Sequence, residues 1–252
     1  MAPTCSLPAR FSLAKRAYFA YAFAEAAARL LEVMNAMMLL ILLAFFLQAA
    51  RSEFTPPSVI SAEAPVSPFG VIQGGVALAD LTINSDGSVE KAALLRGSSP
   101  FSEETLRAVR SWRFNPARST DRYVTSHVGV LTLFRPAAML SFGVGGSTFG
   151  FEAPAPAKSD HSAFPQSITD PGYPQNSIAE GTVVLEVTVD NVGHPINIRV
   201  IQDVPSLTEN SKSAVRNWRF LPAVESGKSI EGKVVVAIAY LQPVQANFAT
   251  PH

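Results

Sequence analysis

The chain has 252 residues, and its 20 basic and 20 acidic side chains give a formal net charge of zero. This balance offers no support for nucleic-acid binding, which needs a clustered basic excess. The single cysteine, Cys5, excludes an internal disulfide framework and a cysteine-rich metal site. Charged residues make up only 16% of the chain, against about 25% in an ordinary soluble domain, which indicates a strongly apolar segment.

That apolar segment is 33–50, which contains no ionisable side chain. A helix of this length rises about 27 Å, close to the thickness of one hydrocarbon core, so the segment predicts a transmembrane helix. Basic residues outnumber acidic ones in residues 1–32, and the positive-inside rule therefore predicts a cytoplasmic N-terminus and an exported remainder. We expect an uncleaved signal anchor. A cleaved signal peptide with Met37–Leu47 as its apolar region, and a buried helix of a soluble fold, remain alternatives.

Beyond the apolar segment the chain contains an internal repeat. Residues 51–64, which include Pro56 and Pro57, predict a short tether. The segment 108–117 then recurs as 214–223 with an offset of 106 residues, and the same offset aligns about sixty residues without a gap. The predicted organisation is a first repeat at 65–140, a linker rich in Gly, Pro and Ala at 141–164, a second repeat at 165–243 and a tail at 244–252.

Each repeat has the element order β-β-α-β. Two runs of alternating apolar residues are separated by a glycine-containing turn, and a helix with one apolar stripe follows. A prolyl residue after that helix leads into a third, valine-rich strand. Ser206 and Glu209 are spaced for a capping box at the second helix. The predicted fold class is therefore α+β, with two tandem small β-β-α-β domains after one N-terminal transmembrane helix.

One sequence signature closes the helix of each repeat, and the second repeat also begins with a Tyr-Pro pair. The signature and predicted core residues are Trp112, Phe114, Pro116, Tyr173, Pro174, Trp218, Phe220 and Pro222. In the first repeat Ser67 replaces the tyrosine. The pattern of both repeats resembles the C-terminal domain of the TonB family.

The resemblance implies a function. Proteins of this family are anchored in the bacterial inner membrane, cross the periplasm and hold a segment of an outer-membrane transporter by adding it as a strand to the edge of the small sheet. ExbB/ExbD-type motor proteins drive them through the membrane helix. For this chain the resemblance implies a partner-binding edge on the third strand of the second repeat. Its residues are Val234, Val235, Val236, Ile238 and Tyr240.

Three features of the sequence depart from that pattern. The segment 33–50 has no histidine or other ionisable group for a proton-driven motor, and the tether is short. Two copies are present, and their third strands can pair with each other and bury the docking edge. The net charges of the two repeats, +2 and −2, favour such packing. The alternative function is therefore a non-transducing envelope interaction or structural protein whose repeats pack as a pseudo-dimer.

The sequence predicts no catalytic residue, no metal and no cofactor. The four histidines (His127, His161, His194 and His252) lack ligand spacing and are expected at the surface. We therefore expect a protein that acts through protein contacts and not an enzyme.

Overall fold

The computed structural model describes residues 21, 23–25, 28–41, 54–71, 73–136 and 160–242. The chain divides into two compact units, Met1–Ser52 and Glu53–His252. In the first unit the described residues form helix α1 within 21–41, and their side chains are exposed. Among the described residues no helix is long and apolar enough to cross a membrane. Of the predicted membrane segment, 33–41 is helical, whereas 42–50 lies outside the described residues.

The described residues of the second unit form two helices and fifteen strands. They are β1 (Phe54–Thr55), β2 (Ser58–Ser61), β3 (Gly75–Ile83), β4 (Val89–Arg96), α2 (Phe101–Val109), β5 (Arg113–Asn115), β6 (Ala117–Ser119), β7 (Arg122–Val124), β8 (Ser126–Phe134), β9 (Phe164–Ser167), β10 (Gly181–Val189), β11 (Pro195–Gln202), α3 (Thr208–Arg216), β12 (Arg219–Leu221), β13 (Ala223–Glu225), β14 (Lys228–Ile230) and β15 (Gly232–Tyr240). Every strand from β9 to β15 begins 106 residues after its counterpart among β2 to β8. The predicted repeat is thus confirmed in the backbone.

The two repeats share one six-stranded sheet in the order β11-β10-β15-β8-β3-β4. The third strands, β8 and β15, are parallel neighbours at its centre. Within each repeat the three long strands are antiparallel, and a short turn joins the first two.

Helices α2 and α3 pack on opposite faces of this sheet. The register pairs Val236 with Leu131, one residue beyond the repeat equivalent of Val236, which is Val130. Paired residues point to the same face and successive residues alternate, so equivalent side chains of β8 and β15 point to opposite faces. Val130 joins the apolar core under α2, and Val236 joins the core under α3. Each third strand therefore contributes to both cores.

The segment expected to be a tether is partly folded. Within 51–64, strand β2 pairs antiparallel with β5, and its Val59 is buried. The corresponding segment before the second repeat, β9, pairs with β12. These residues are absorbed into the compact unit because each repeat needs a further strand to cover its helix-terminal tryptophan. Residues 137–159, which include 141–159 of the predicted linker, and residues 243–252 at the C-terminus lie outside the described residues.

The capping box predicted at the second helix does not form. Leu207 occupies the N-cap position, and no side chain caps the helix there. Ser206 has a positive φ of 73°, and its hydroxyl is 2.6 Å from the Ser177 hydroxyl. Thr208 accepts a hydrogen bond from the Val204 amide instead. A different local contact, together with the contact to Ser177, thus replaces the predicted capping box.

Candidate interaction site

The edge predicted to bind a partner is not an edge in this structure. Strand β15 pairs with β10 on one side and with β8 on the other, so its main-chain groups are used within the sheet. The five predicted residues are at most 2% exposed and lie at the centre of the sheet: Val234, Val235, Val236, Ile238 and Tyr240. A strand cannot be added here unless β8 leaves. The physical reason is that the two repeats satisfy each other's open edges.

The sheet ends at β4 and β11. Each of these outer strands has a break in register near both ends of its pairing with the neighbouring strand. Regular pairing remains only over 91–94 in β4 and 197–200 in β11. Such bulges are a common way to discourage pairing at a sheet edge. The outer edges nevertheless carry exposed apolar side chains, including Leu94, Leu95 and Ile196.

The signature tryptophans are buried and hold the chain that precedes each repeat. The Trp112 indole donates a hydrogen bond of 2.8 Å to the Glu63 carbonyl, and the Trp218 indole donates one of 3.0 Å to the Thr169 carbonyl. Residues 63 and 169 are related by the repeat offset. The tryptophans are therefore core residues that also anchor the incoming segment.

The turn glycine and the phenylalanine of the signature act together. Phe114 donates its amide to the Gly87 carbonyl at 2.9 Å. A Cβ on Gly87, which has a φ of 83°, would lie 1.9 Å from the Phe114 carbonyl oxygen. The second repeat has the same contact between Gly193 and Phe220. The motif thus joins the β-hairpin to the strand after the helix.

The Tyr-Pro pair has a structural role as well. Tyr173 donates a hydrogen bond of 2.6 Å to the Ala179 carbonyl, and its ring meets Tyr240 edge-on at 6.1 Å. The Pro174 carbonyl accepts the Ser177 amide in a turn. Pro116 lies between β5 and β6, and Pro222 lies at the equivalent position between β12 and β13, so a short hairpin separates each proline from the third strand. These signature residues thus make contacts within the fold.

Each repeat sends its preceding segment across the other repeat. We call residues 54–61 the first arm and residues 160–167 the second arm. The amide of Val59 in the first arm donates a 2.5 Å hydrogen bond to Glu186 of the second repeat. Arg199 donates to the Val59 carbonyl at 2.7 Å and to the same carboxylate at 3.0 Å. Lys233 completes the cluster, with its Nζ 3.1 Å from Glu186.

The reciprocal contact holds the second arm. The Ser162 hydroxyl donates a hydrogen bond of 2.6 Å to Asp80 of the first repeat, and His127 Nδ1 lies 2.8 Å from the other oxygen of that carboxylate. The second arm approaches β8 so closely that a Cβ on Gly129 would lie 2.2 Å from the Ala163 carbonyl oxygen. Asp80 and Glu186 occupy equivalent positions of the two repeats. Each carboxylate accepts a hydrogen bond from the arm of the other repeat. Sequence reasoning missed both, although each interrupts an apolar strand.

These two clusters differ in their electrostatics. Burial raises the pKa of Glu186, but the hydrogen bonds from Arg199 and Val59 and the charge of Lys233 outweigh it, and the net pKa is lowered. The hydrogen bond to Asp80 raises the pKa of His127. The Ser162 hydroxyl bonds to the carboxylate and not to the imidazole, so the trio does not form the nucleophile–base contact of a hydrolase.

A third contact locks the repeats at the far end of the central strands. Arg135, just after β8, forms a buried bidentate ion pair with Asp170. Its guanidinium also lies 5.0 Å from the centre of the Tyr240 ring, and its amide donates to the Ala239 carbonyl. Burial raises the pKa of Tyr240 to about 12, so this ring stays protonated. The repeats are thus joined at both ends and along the centre.

The part of the chain that the structure describes contains no group of three or more His, Cys, Asp or Glu side chains able to hold a metal. His127 and His194 are exposed as expected, and His161 is partly buried. His252 lies outside the described residues.

Comparison with known proteins gives one match. The family model described as Gram-negative bacterial TonB protein C-terminal matches residues 72–135 and 169–241, more than half of the chain. No curated protein matches. The matched segments contain β3 to β8 and β10 to β15, whereas β2 and β9 of the two arms lie outside them.

Proposed function

Because this chain belongs to the TonB C-terminal family, whose domains mediate protein–protein contacts in the envelope, we propose that it is an envelope interaction protein built as a fused pseudo-dimer. The observation that carries this proposal is the parallel pairing of β8 with β15. That pairing occupies the strand through which the family resemblance implied partner binding.

The proposal includes a location. The charge-free segment 33–50 would anchor the chain in the inner membrane, with residues 53–252 in the periplasm. A cleaved signal would place the same unit free in the periplasm. In either case the partner would be an envelope protein that recognises the outside of the six-stranded sheet.

Energy transduction is the second candidate function. It would require an outer-membrane transporter segment to add to an edge that is still open, and an ExbB/ExbD-type motor to engage the N-terminal helix. The observation in its favour is the regular stretch at the middle of β4 and β11, where the outward main-chain groups have no strand partner among the described residues. The breaks in register beside these stretches limit such an addition to about four residues.

Hydrogen exchange on the full-length chain separates the two functions. A synthetic peptide from the plug of an outer-membrane transporter is added, and amide exchange is followed strand by strand. We expect β8 and β15 to keep the slow exchange of a buried sheet centre. Faster exchange in β8 on addition of peptide would mean that the peptide displaces β8 from β15, which would overturn the fused pseudo-dimer. New protection confined to 91–94 or 197–200 would favour the transducing function.

Copurification tests the envelope role itself. The full-length protein is extracted from membranes, and the proteins that accompany it are identified. We expect envelope proteins to be retained by the wild type and lost when exposed side chains of the outer strands are changed, with Leu94→Lys and Ile196→Lys as the variants. Retention of the same partners by both variants would show that recognition uses another surface.

A further inference from the structure

The first arm begins almost directly after the charge-free segment. That segment ends at Ala50, and strand β1 begins at Phe54. A fully extended chain advances at most about 3.6 Å per residue, so Phe54 lies within roughly 14 Å of Ala50. With 33–50 in the membrane, the headgroup layer takes up roughly 6 Å of this distance. Phe54 and the surface around it are therefore within side-chain reach of the lipid headgroups.

Two hairpins lie beside Phe54. Phe54 pairs with Ser119 of β6, and Ser119 pairs with Arg122 of β7. Neighbouring strands are about 4.8 Å apart, so Arg122 is about 10 Å from Phe54. On the other side, residues of the β13–β14 hairpin line a cleft together with Phe54. The side chains of the two hairpins decide which of them suits a lipid surface.

The β6–β7 hairpin has the side chains that lipid headgroups favour. Tyr123 is 63% exposed, and Arg122 is exposed without an ion pair among the described residues. Arg118 is also exposed, but it is paired with Asp121 at 3.0 Å. Tyrosine is enriched at membrane–water interfaces, and arginine donates several hydrogen bonds to one phosphate. Because β7 is the outer strand of its sheet, a surface that meets this edge is reached by both Arg122 and Tyr123.

The second repeat has a different surface at the equivalent positions. Lys228 and Ser229 stand there in place of Arg122 and Tyr123, so the cation is kept and the aromatic ring is lost. Three exposed acidic residues have neutral counterparts in the first repeat: Asp160, Glu225 and Glu231. Lipid phosphates are negatively charged and repel carboxylates. The β6–β7 hairpin is therefore the one that suits a phosphate surface.

We propose that the β6–β7 hairpin rests on the lipid headgroups of the inner membrane, with the Arg122 guanidinium donating hydrogen bonds to lipid phosphate and the Tyr123 ring at the interface. This inference rests on the proposed anchoring through 33–50. The outer strands β4 and β11 take no part in the contact and stay available to a protein partner. The contact holds the six-stranded sheet close to the inner membrane, so a partner meets it there.

Fluorescence quenching on the full-length chain tests the contact. The chain, with Cys5→Ser, is inserted into phosphatidylcholine vesicles that contain a nitroxide-headgroup lipid, and a fluorophore is attached at Thr125→Cys or at Phe69→Cys. Thr125 directly follows β7, whereas Phe69 lies in the loop before β3, whose nine residues rise about 30 Å along the sheet. We expect the quenching at position 125 to exceed that at position 69 about twofold or more.

Two variants test the side chains themselves. Arg122→Gln and Tyr123→Ser each remove one headgroup contact, and each is expected to lower the quenching at position 125 by about a third or more. Lys228→Gln, the equivalent of the arginine change in the second repeat, is the matched control and leaves the quenching unchanged. All three side chains are exposed, and an unchanged denaturant midpoint shows that the fold is intact.

Three results would overturn the proposal. They are equal quenching at positions 125 and 69, stronger quenching of a label at Ser229→Cys than at Thr125→Cys, and unchanged quenching in both hairpin variants. Flotation with the vesicles reports the anchor separately. A chain that floats but is quenched equally at positions 125 and 69 keeps the proposed anchor and loses the hairpin contact, whereas a chain that does not float overturns both.

Discussion

The two arms make the same crossing with different chemistry. The first arm is held by Glu186, which is 4% exposed and forms ion pairs with Arg199 and Lys233. The second arm is gripped by Asp80, which has a half-exposed histidine and a serine as partners. The backbone positions are equivalent, so the difference lies only in the side chains. A repeated fold can thus keep a contact while one copy becomes sensitive to pH.

The comparison also shows why the repeats act as one unit. Each arm packs on strands of the other repeat, and each third strand contributes to both cores. Neither repeat has a core that it completes alone. We therefore expect a single cooperative transition and not two.

The largest expected effect comes from removing a signature tryptophan. Trp112→Ala leaves a cavity at a fully buried side chain, and we expect a loss of about 3–5 kcal/mol in the free energy of unfolding. Trp218 then remains as the only tryptophan and reports on the second repeat. Because the two cores are coupled, the unfolding transition reported by Trp218 fluorescence should move to a lower denaturant concentration, by the shift that corresponds to the whole loss in free energy of unfolding.

A wild-type midpoint for Trp218 in that variant would show that the repeats unfold independently. Phe69→Ala is the matched control, since Phe69 is fully exposed in a loop. Its stability is expected to stay within about 0.5 kcal/mol of the wild type.

The contacts that hold the first arm should contribute more to stability than those that hold the second arm. Glu186→Gln leaves Lys233 without its carboxylate in a mostly buried position, and Arg199 is half exposed. We expect a loss of about 2–3 kcal/mol, below the 3–5 kcal/mol of a fully buried pair. Asp80→Asn, the equivalent change, is expected to cost about 1 kcal/mol because its histidine partner is more exposed. Denaturant unfolding at neutral pH measures both.

The sign of the pH dependence follows from the lowered pKa of Glu186. A carboxyl with a lowered pKa in the folded state stabilises the protein above its unfolded pKa, and this stability is lost as the pH falls through the folded pKa. The difference between wild type and Glu186→Gln should therefore shrink in acid, below the usual value of 4.5. Equal losses for the Asp80 and Glu186 variants would remove the contrast between the arms.

Much of the fold was predictable from local pattern. The repeat, the element order and the buried stripe of each helix follow from periodicity and from the signature residues. The pairing of the third strands was one of the alternatives that the sequence left open, because two small sheets with open edges in one chain can satisfy each other. The placement of α2 and α3 on opposite faces was not predictable, since it depends on the one-residue offset between Val236 and Leu131.

The sequence did not predict the two arms, for a different reason. Strand β2 has four residues and follows Pro56 and Pro57, so its local sequence reads as a tether. It becomes a strand because β5 and the face of the second repeat are there to receive it.

The smallest expected effect is the pH response of the second arm. His127 has a raised pKa, so its contact with Asp80 contributes fully below the usual value of 6.5 and is lost as the pH rises through the folded pKa. Thermal unfolding of wild type and His127→Gln should therefore differ more at about pH 5.5 than at about pH 8.5. The side chain is 41% exposed, and the difference should stay at or below about 0.5 kcal/mol.

Ser162→Ala separates the titration of His127 from the hydrogen bond that holds the second arm. It removes the hydrogen bond between the second arm and Asp80 but leaves the histidine contact, so its cost of about 1–2 kcal/mol should be nearly the same at both pH values. A pH-dependent loss in Ser162→Ala, or a pH-independent one in His127→Gln, would mean that the proton is not held at the Asp80–His127 contact. The second arm would then lack the pH sensitivity that distinguishes it from the first.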